Sequence, residues 1–175
     1  MNGNMIKISL AALAIGASSV WAGEKEIEIE QLPAPVLAAA KTACPDGVIK
    51  EAAKEKEDGV VAYEVEMMVG NMGCDLKIAP DGTLLEKEQQ VAVKDLPQKV
   101  AGTLKSFAEA TVQKAERVQE KDEAAFYEIN VVMNGQAMEL KINEAGQIIE
   151  VETKGKKHDD EEDDEHEEHE ENDDD

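Results

Sequence analysis

The sequence predicts an α+β fold with two tandem copies of a helix followed by a roughly four-stranded antiparallel sheet, plus a disordered acidic C-terminal tail. Three observations lead to this prediction. Short motifs recur at a constant separation of 64 residues, the apolar period changes within each copy from about 3.6 to 2, and hairpin signals separate the alternating segments. We therefore expect each copy to be one helix-and-sheet module.

The repeat consists of short motifs that keep one register without a gap. The matched pairs are Leu32-Pro33 and Leu96-Pro97, Tyr63-Glu64-Val65 and Tyr127-Glu128-Ile129, Leu76-Lys77-Ile78 and Leu140-Lys141-Ile142, and Gly82 and Gly146. Because chance similarity does not keep one offset over several motifs, we interpret the pattern as an internal duplication. The predicted boundaries are residues 23–89 for the first copy and 90–153 for the second.

Each copy is predicted to begin with a helix. Pro33 or Pro35 suits the first helical turn, where the missing N–H had no partner. Apolar residues then recur at helical spacing, namely Val36, Leu37 and Ala40 in copy one and Val100, Leu104 and Phe107 in copy two. The run Cys44-Pro45-Asp46-Gly47 is typical of a helix end, so the first helix should finish there.

Strands are predicted after each helix, where the apolar period becomes two. Tyr63, Val65 and Met67 alternate with glutamates, and the segment from Tyr127 to Met133 repeats this pattern. The hairpin signals and returning strands are Gly70-Asn71 before Cys74, Leu76 and Ile78, and Asn134-Gly135 before Met138, Leu140 and Ile142. Weaker strand candidates, 48–55 and 112–120, precede the tyrosine strands, and a last strand should begin at Leu84 and at Ile148.

Residues 1–22 have the features of a secretory signal peptide. Lys7 precedes an apolar run over residues 8–17, and Val20-Trp21-Ala22 supplies small residues for cleavage after Ala22. The alternative, an ordinary buried helix, is disfavoured because the run lacks polar residues at helical spacing. The run is also shorter than the ~20 residues that cross a bilayer. We expect a periplasmic or secreted protein with no membrane insertion after cleavage.

The tyrosine strand, the hairpin and the following turn resemble the PepSY and PepSY-like family. The matching residues are Tyr63-Glu64-Val65, Ile78, Asp81-Gly82 and Leu84-Leu85 in copy one, and Tyr127-Glu128-Ile129, Ile142, Gly146 and Ile148-Ile149 in copy two. Ala145 departs from the family pattern, which often has Asp there. The tandem form is similar to a secreted β-lactamase inhibitor. The resemblance implies an exported, non-catalytic module that binds or inhibits a protein partner.

Acidic residues dominate the charge of the chain and limit the classes of partner. The net charge is −22 at pH 7, and 14 of the 40 acidic residues lie in residues 158–175. Residues 23–157 still carry 26 acidic and 17 basic residues. A negative surface repels phosphate backbones and anionic lipid, so we expect no nucleic-acid partner and favour cations or basic proteins.

Residues suited to catalysis are sparse. All three histidines, His158, His166 and His169, lie in the acidic tail, so residues 23–157 contain no imidazole for general-base chemistry. The sequence also lacks a phosphate-binding Gly-rich loop, Cys-x-x-Cys and His-Glu-x-x-His. Alternating strand glutamates are more typical of a solvated face than of paired catalytic carboxylates. We predict that the protein is not an enzyme and requires no cofactor.

Cys44 and Cys74 are the two cysteines, and Ala108 and Met138 occupy their positions in copy two. In an oxidising compartment they are candidates for one disulfide that joins the helix to the sheet. The alternative is a pair of buried free thiols.

Two groups of residues raise the question of metal binding. The first is five methionines, Met67, Met68, Met72, Met133 and Met138, whose thioethers could bind copper(I), although their strand and turn spacing is more typical of core filling. The second is the tail, residues 154–175, which we expect to be disordered when unbound. Its candidate ligands for calcium, zinc or copper are His158, His166, His169, Glu165 and Glu170. The alternative is a solubilising run of charge.

Overall fold

The computed structural model describes residues 25–57 and 60–154. The predicted signal peptide, residues 1–22, lies outside these ranges. The candidate metal ligands of the tail lie outside them as well; they are His158, His166, His169, Glu165 and Glu170. The structural description below therefore concerns the two copies and not the two terminal segments.

The described chain contains nine strands, two α-helices and two 3₁₀ turns. The strands are β1 (Lys25–Glu26), β2 (Val48–Glu57), β3 (Val60–Val69), β4 (Met72–Ile78), β5 (Leu84–Gln90), β6 (Thr111–Glu120), β7 (Phe126–Met133), β8 (Gln136–Asn143) and β9 (Ile148–Lys154). The helices are α1 (Ala34–Ala43) and α2 (Gln98–Leu104), and the 3₁₀ turns span Ile29–Gln31 and Val93–Asp95.

The predicted fold class, α+β with two tandem helix-and-four-strand copies, was wrong. The nine strands form one antiparallel sheet in chain order, and only two short helices accompany it, so the fold is mainly β. The error has a physical origin. The helical apolar pattern of copy two extends to Phe107, but α2 ends at Leu104, and the strands β2 and β6 are each 10 residues long.

The chain divides into two compact units between Gln89 and Gln90. Unit 1 has a core between α1 and its strands, in which Val36 and Ala40 are fully buried. The strand residues that complete this core are Ala52, Tyr63, Val65, Met67, Cys74, Leu76 and Ile78. They share one face because alternate residues of a strand point to the same side of a sheet.

Unit 2 has a core of the same kind beneath α2. Val100 is fully buried there, and Pro97 precedes α2 as Pro33 precedes α1. The remaining core residues are Leu96, Ala115, Tyr127, Ile129, Val131, Leu140 and Ile142. Burial of these apolar side chains is the main stabilising contribution to the unit.

Cys44 and Cys74 form a disulfide bond. Cys44 follows the last residue of α1, and Cys74 is fully buried on β4. The bond encloses a segment with a sequence separation of 30 residues, which contains β2 and β3. It therefore joins the end of the helix covalently to the sheet beneath it. A second link is the hydrogen bond that Lys87 Nζ donates to the Ala43 carbonyl at 2.8 Å.

The turn after β8 contacts the start of α2 directly. Gly146 has a φ of 81°, a conformation that L-residues with a side chain rarely adopt. A Cβ atom there would lie 2.7 Å from the Lys99 carbonyl oxygen. The position therefore requires glycine both for its backbone conformation and for the space that the helix leaves.

Within the described residues, neither α1 nor α2 combines the length and hydropathy that a membrane-crossing helix needs.

Candidate functional site

Charged side chains occupy the face of the unit 2 sheet that points away from α2. On β7, Tyr127 and Ile129 point into the core, so Glu128 between them points to the opposite side. We call this surface the helix-free face of unit 2. It carries seven charged residues from the neighbouring strands β6, β7, β8 and β9. They are Lys114, Glu116, Glu128, Glu139, Lys141, Glu150 and Glu152.

A row of alternating charge crosses this face. Glu128 on β7 lies opposite Lys141 on β8, which in turn lies opposite Glu150 on β9. Lys141 Nζ is 3.6 Å from Glu128 Oε1 and 3.1 Å from Glu150 Oε2. The lysine therefore holds two carboxylates, one on each strand that flanks its own. Although partial burial opposes protonation, the hydrogen bond to Glu150 and the neighbouring carboxylate charges raise the pKa of Lys141, so it stays charged.

Glu116 forms a second ion pair on the same face. Its carboxylate is 2.7 Å from Lys114 Nζ, two residues earlier on β6. Only 3% of Glu116 is exposed, so this charge is almost removed from water and depends on the lysine for compensation. Truncation of Lys114 would leave a buried charge without its counter-ion.

Glu128 titrates close to neutral pH. Burial raises the pKa of its carboxyl group to about 7, and the negative charges of Glu139 and Glu116 add to this effect, while Lys141 opposes it. A carboxyl group of this kind is also suited to proton transfer. Its neighbours here are carboxylates and a lysine in ion pairs, so the arrangement is better suited to recognising charge than to covalent chemistry.

A cavity of about 400 Å³ opens at one end of the face. Phe126 contributes an aromatic wall, and Lys141 Nζ lies 5.9 Å from the centroid of its ring. Three carboxylates, Glu120, Glu123 and Glu150, also line the cavity. Its volume is within the range of small-molecule sites, roughly 300–1,000 Å³, and its charge favours a cationic group.

Unit 1 repeats the alternating row of charge 64 residues earlier. Glu64 on β3, Lys77 on β4 and Glu86 on β5 are successive register neighbours. Lys77 Nζ makes its closest ion pair, at 2.7 Å, with Glu55 on β2. Burial opposes ionisation of Glu55, but hydrogen bonds with Glu64 and Lys77 and the charge of Lys77 keep its pKa below the usual range.

Glu55 and Glu116 are functional candidates that the sequence did not identify. Each is 3% exposed, although strand glutamates were expected to be solvated. Glu55 lies in a run of charge, Lys54-Glu55-Lys56, which gives no sign of burial. Only the pairing of the strands indicates the environment of Glu116, which lies opposite Glu128. This pairing cannot be read from the sequence of one strand alone.

The predicted site residues have different outcomes. Cys44 and Cys74 are bonded to each other, so the alternative of two free thiols is wrong. The candidate metal ligands His158, His166, His169, Glu165 and Glu170 lie outside the described residues.

The five methionines are divided between the two units, with Met67, Met68 and Met72 in unit 1 and Met133 and Met138 in unit 2. Met67 is 1% exposed within the unit 1 core, whereas Met138 packs against the unit 2 core. Both positions are consistent with methionines that fill the hydrophobic core, the role that the strand spacing favoured.

No family model and no curated protein matches this chain. Solved structures do. A putative periplasmic protein from Bacteroides eggerthii has a TM-score of 0.59 and 16% identity, covering 69% of this chain and 88% of that one. A DUF2874 family protein from Bacteroides uniformis has a TM-score of 0.57 at 16% identity, with coverage of 69% and 88%.

A BLIP-like protein from Bacteroides fragilis is similar as well. Its TM-score is 0.58 at 18% identity, and the match covers 71% of this chain and 90% of that one. At these identities the likeness establishes the fold alone. The resemblance inferred from the sequence is therefore supported as a BLIP-like fold, and the location described for the first neighbour agrees with the predicted signal peptide.

Proposed function

We propose that this chain is an exported, non-catalytic protein that binds another protein outside the cytoplasm through the helix-free face of unit 2. The observation that carries the proposal is the row Glu128, Lys141 and Glu150, in which one lysine on β8 holds a carboxylate on each of the two flanking strands. Side chains fixed on neighbouring strands lose little additional freedom on binding, so they suit recognition of a complementary charged surface.

The composition of the face supports binding rather than catalysis. Its charged residues are five carboxylates and two lysines. The three histidines of the chain are His158, His166 and His169, outside the described part, so strands β6 to β9 contribute no imidazole to the face. Its charge has the sign that attracts a basic partner and accelerates encounter with it.

The fold and the predicted location support the same proposal. The BLIP-like fold is shared with a structural neighbour, and the signal-peptide features of residues 1–22 indicate export. The PepSY-like resemblance adds the finer hypothesis of an inhibitory module, whose target would be a secreted or periplasmic protein.

Affinity capture tests this proposal. The mature chain is used as bait on a periplasmic extract of its own bacterium, beside Glu150→Lys, which reverses one negative charge of the row, and the control Lys94→Ala, whose exposed lysine lies outside the face. We expect a specific partner with the mature chain and with the control, and a strong loss with Glu150→Lys. Thermal unfolding checks that both variants are folded. Equal capture by all three baits would contradict the role of the face, and no specific partner with any bait would contradict the function.

A second candidate function is divalent metal binding by the tail, favoured by the occurrence of all three histidines among its 14 acidic residues. Carboxylates suit calcium, while imidazole adds affinity for zinc or copper.

A further inference from the structure

The last strand, β9, is unusually apolar on its exposed surface. Ile148, Ile149 and Val151 are 41%, 55% and 49% exposed. They account for three of the six large apolar side chains that are exposed in the described residues. Side chains of this kind on a short strand, rather than scattered over the surface, indicate a contact site.

The backbone of β9 is also open along one side. Within the described residues β9 pairs with β8 and with no other strand, and it is the last in the order of the sheet. At 7 residues it is long enough to serve as a template for another strand. A free strand edge of this kind presents N–H and carbonyl groups that an added strand can pair with.

We propose that β9 accepts an extended basic segment of the protein partner as an added antiparallel or parallel strand. The inference rests on the proposed function and specifies the partner's chemistry. Along β9, the apolar residue Val151 lies between Glu150 and Glu152, while the register with β8 shifts at Ile149. The complementary strand alternates lysine or arginine with apolar residues, so that opposite charges and apolar side chains meet across the new pair.

The cavity beside β9 supplies a place for one basic side chain of that strand. Ile149 and Glu150 of β9 line it, together with the ring of Phe126 and the carboxylates of Glu120 and Glu123. An ammonium or guanidinium group in this cavity gains carboxylate partners and can lie over an aromatic face. Lys141, which also lines the cavity, is already paired with two glutamates.

Two other occupants of the edge are disfavoured by charge. The tail that follows β9 carries 14 acidic residues between positions 158 and 175, so its return to Glu150 and Glu152 would bring like charges together. A second copy paired antiparallel about Val151 would place Glu150 of each chain opposite Glu152 of the other. A basic partner is the occupant that avoids both repulsions.

The direct test measures binding of a synthetic peptide to the mature chain. The probe is an acetylated and amidated heptapeptide that alternates lysine and valine, compared with a version carrying glutamate for lysine and a version with alternate backbone nitrogens methylated. We expect saturable binding of the first peptide and at least roughly tenfold weaker binding of the other two. Hydrogen exchange should slow at the amides of β9.

Matched variants locate the site. Val151→Lys adds a repelling charge at the edge, while Val60→Lys makes the same change at an exposed valine on β3, 68% exposed. We expect Val151→Lys to weaken peptide binding at least roughly tenfold and Val60→Lys to leave it within about twofold. Both positions are exposed, so both variants should keep the unfolding midpoint of the parent chain.

Several results would overturn the inference. These are equal affinity for the lysine and glutamate peptides, equal effects of the two variants, or unchanged exchange at β9 in the bound state. A concentration-dependent dimer that Val151→Lys abolishes would assign the edge to a second copy instead. The two proposals remain separable, because a partner captured equally by Val151→Lys and the parent chain removes the edge but retains the binding function.

Discussion

Glu116 on β6 lies directly opposite Glu128 on β7. Like charges in this position repel each other, and the charge of each carboxylate is compensated by a different lysine. Lys114 lies 2.7 Å from Glu116, and Lys141 lies 3.6 Å from Glu128. The longer distance at Glu128 goes with the raised pKa of that group. The helix-free face of unit 2 therefore holds one close ion pair, Lys114 with Glu116, and one carboxyl group, Glu128, that can gain a proton near neutral pH.

The first prediction concerns the pH dependence of stability. The pKa of Glu128 is about 7 in the folded chain, above its ordinary value of 4.5. A raised pKa contributes stability that is fully present below about pH 4.5 and is lost as the pH rises through about 7. Replacement of this carboxyl group by an amide in Glu128→Gln should therefore stabilise the chain at pH 8, by on the order of 3 kcal/mol, and have little effect near pH 4.5.

Urea denaturation of the parent chain and Glu128→Gln between pH 4.5 and 8 measures this difference. Glu139→Gln provides the control, because it removes a negative charge that raises the pKa of Glu128 and should move the transition to lower pH. A stability difference that does not change with pH would contradict the assignment.

The second prediction concerns the Cys44–Cys74 bond. In the loop-entropy model, a bond that encloses about 30 residues stabilises a chain by roughly 3–4 kcal/mol. The double variant Cys44→Ala/Cys74→Ala, and the parent chain in reductant, should both lose about this amount in denaturant unfolding. Reduction should also add the mass of two hydrogens. Identical stability with and without reductant would argue against the contribution.

The third prediction compares two glycines of the same conformation. Gly135 and Gly146 both have positive φ, 77° and 81°, but no atom lies near a Cβ at Gly135. Gly135→Ala should cost about 1 kcal/mol for the backbone conformation alone. Gly146→Ala should cost clearly more, because its Cβ would also collide with the Lys99 carbonyl. Comparable losses in thermal unfolding would show that the turn does not press against α2.

The fourth prediction contrasts two apolar residues of unit 2. Leu140 is fully buried in the core, and Ile149 is 55% exposed on β9. Leu140→Ala should reduce the free energy of unfolding by about 2–5 kcal/mol through lost burial and a residual cavity. Ile149→Ala should change it by no more than about 0.5 kcal/mol. A large loss at Ile149 would mean that the residue serves the fold and not a partner.

The fifth prediction concerns the tail. Calorimetric titration with calcium, zinc and copper should give heat with the mature chain and much less with a variant lacking residues 158–175. Zinc and copper heats should also fall when His158, His166 and His169 are replaced, because imidazole is the ligand these ions share. Equal, negligible heats for the full and shortened chains would remove metal binding as a function.

The sequence allowed the local structure to be predicted better than the fold class. Period-two alternation at Tyr63, Val65 and Met67 places these residues together in the unit 1 core, and Pro33 directly precedes α1. Alternation is a property of one strand and is visible in the sequence. The joining of consecutive strands into one nine-stranded sheet depends on which strand edges pair, and the alternation within a single strand does not specify its pairing.

The same distinction applies to the candidate site. Cys44 and Cys74 could be proposed from residue type and compartment alone. The burial of Glu55 and Glu116 could not be predicted in this way. It depends on ion pairs with Lys77 on another strand and with Lys114 on the same strand, and on the residues that cover each carboxylate. The exposed residues of β9 were predicted as an ordinary last strand, since nothing in their alternation distinguishes a paired edge from an open one.

The disulfide also makes the two units unequal towards proteolysis. A single backbone cut between β2 and β3 falls inside the segment that Cys44 and Cys74 enclose, so both pieces stay covalently attached and the strands can pair again as neighbours. A cut between β6 and β7, at the exposed turn around Asp122, leaves no such connection. In an extracellular environment rich in peptidases, a nicked unit 1 remains one molecule, whereas a nicked unit 2 depends on non-covalent contacts alone.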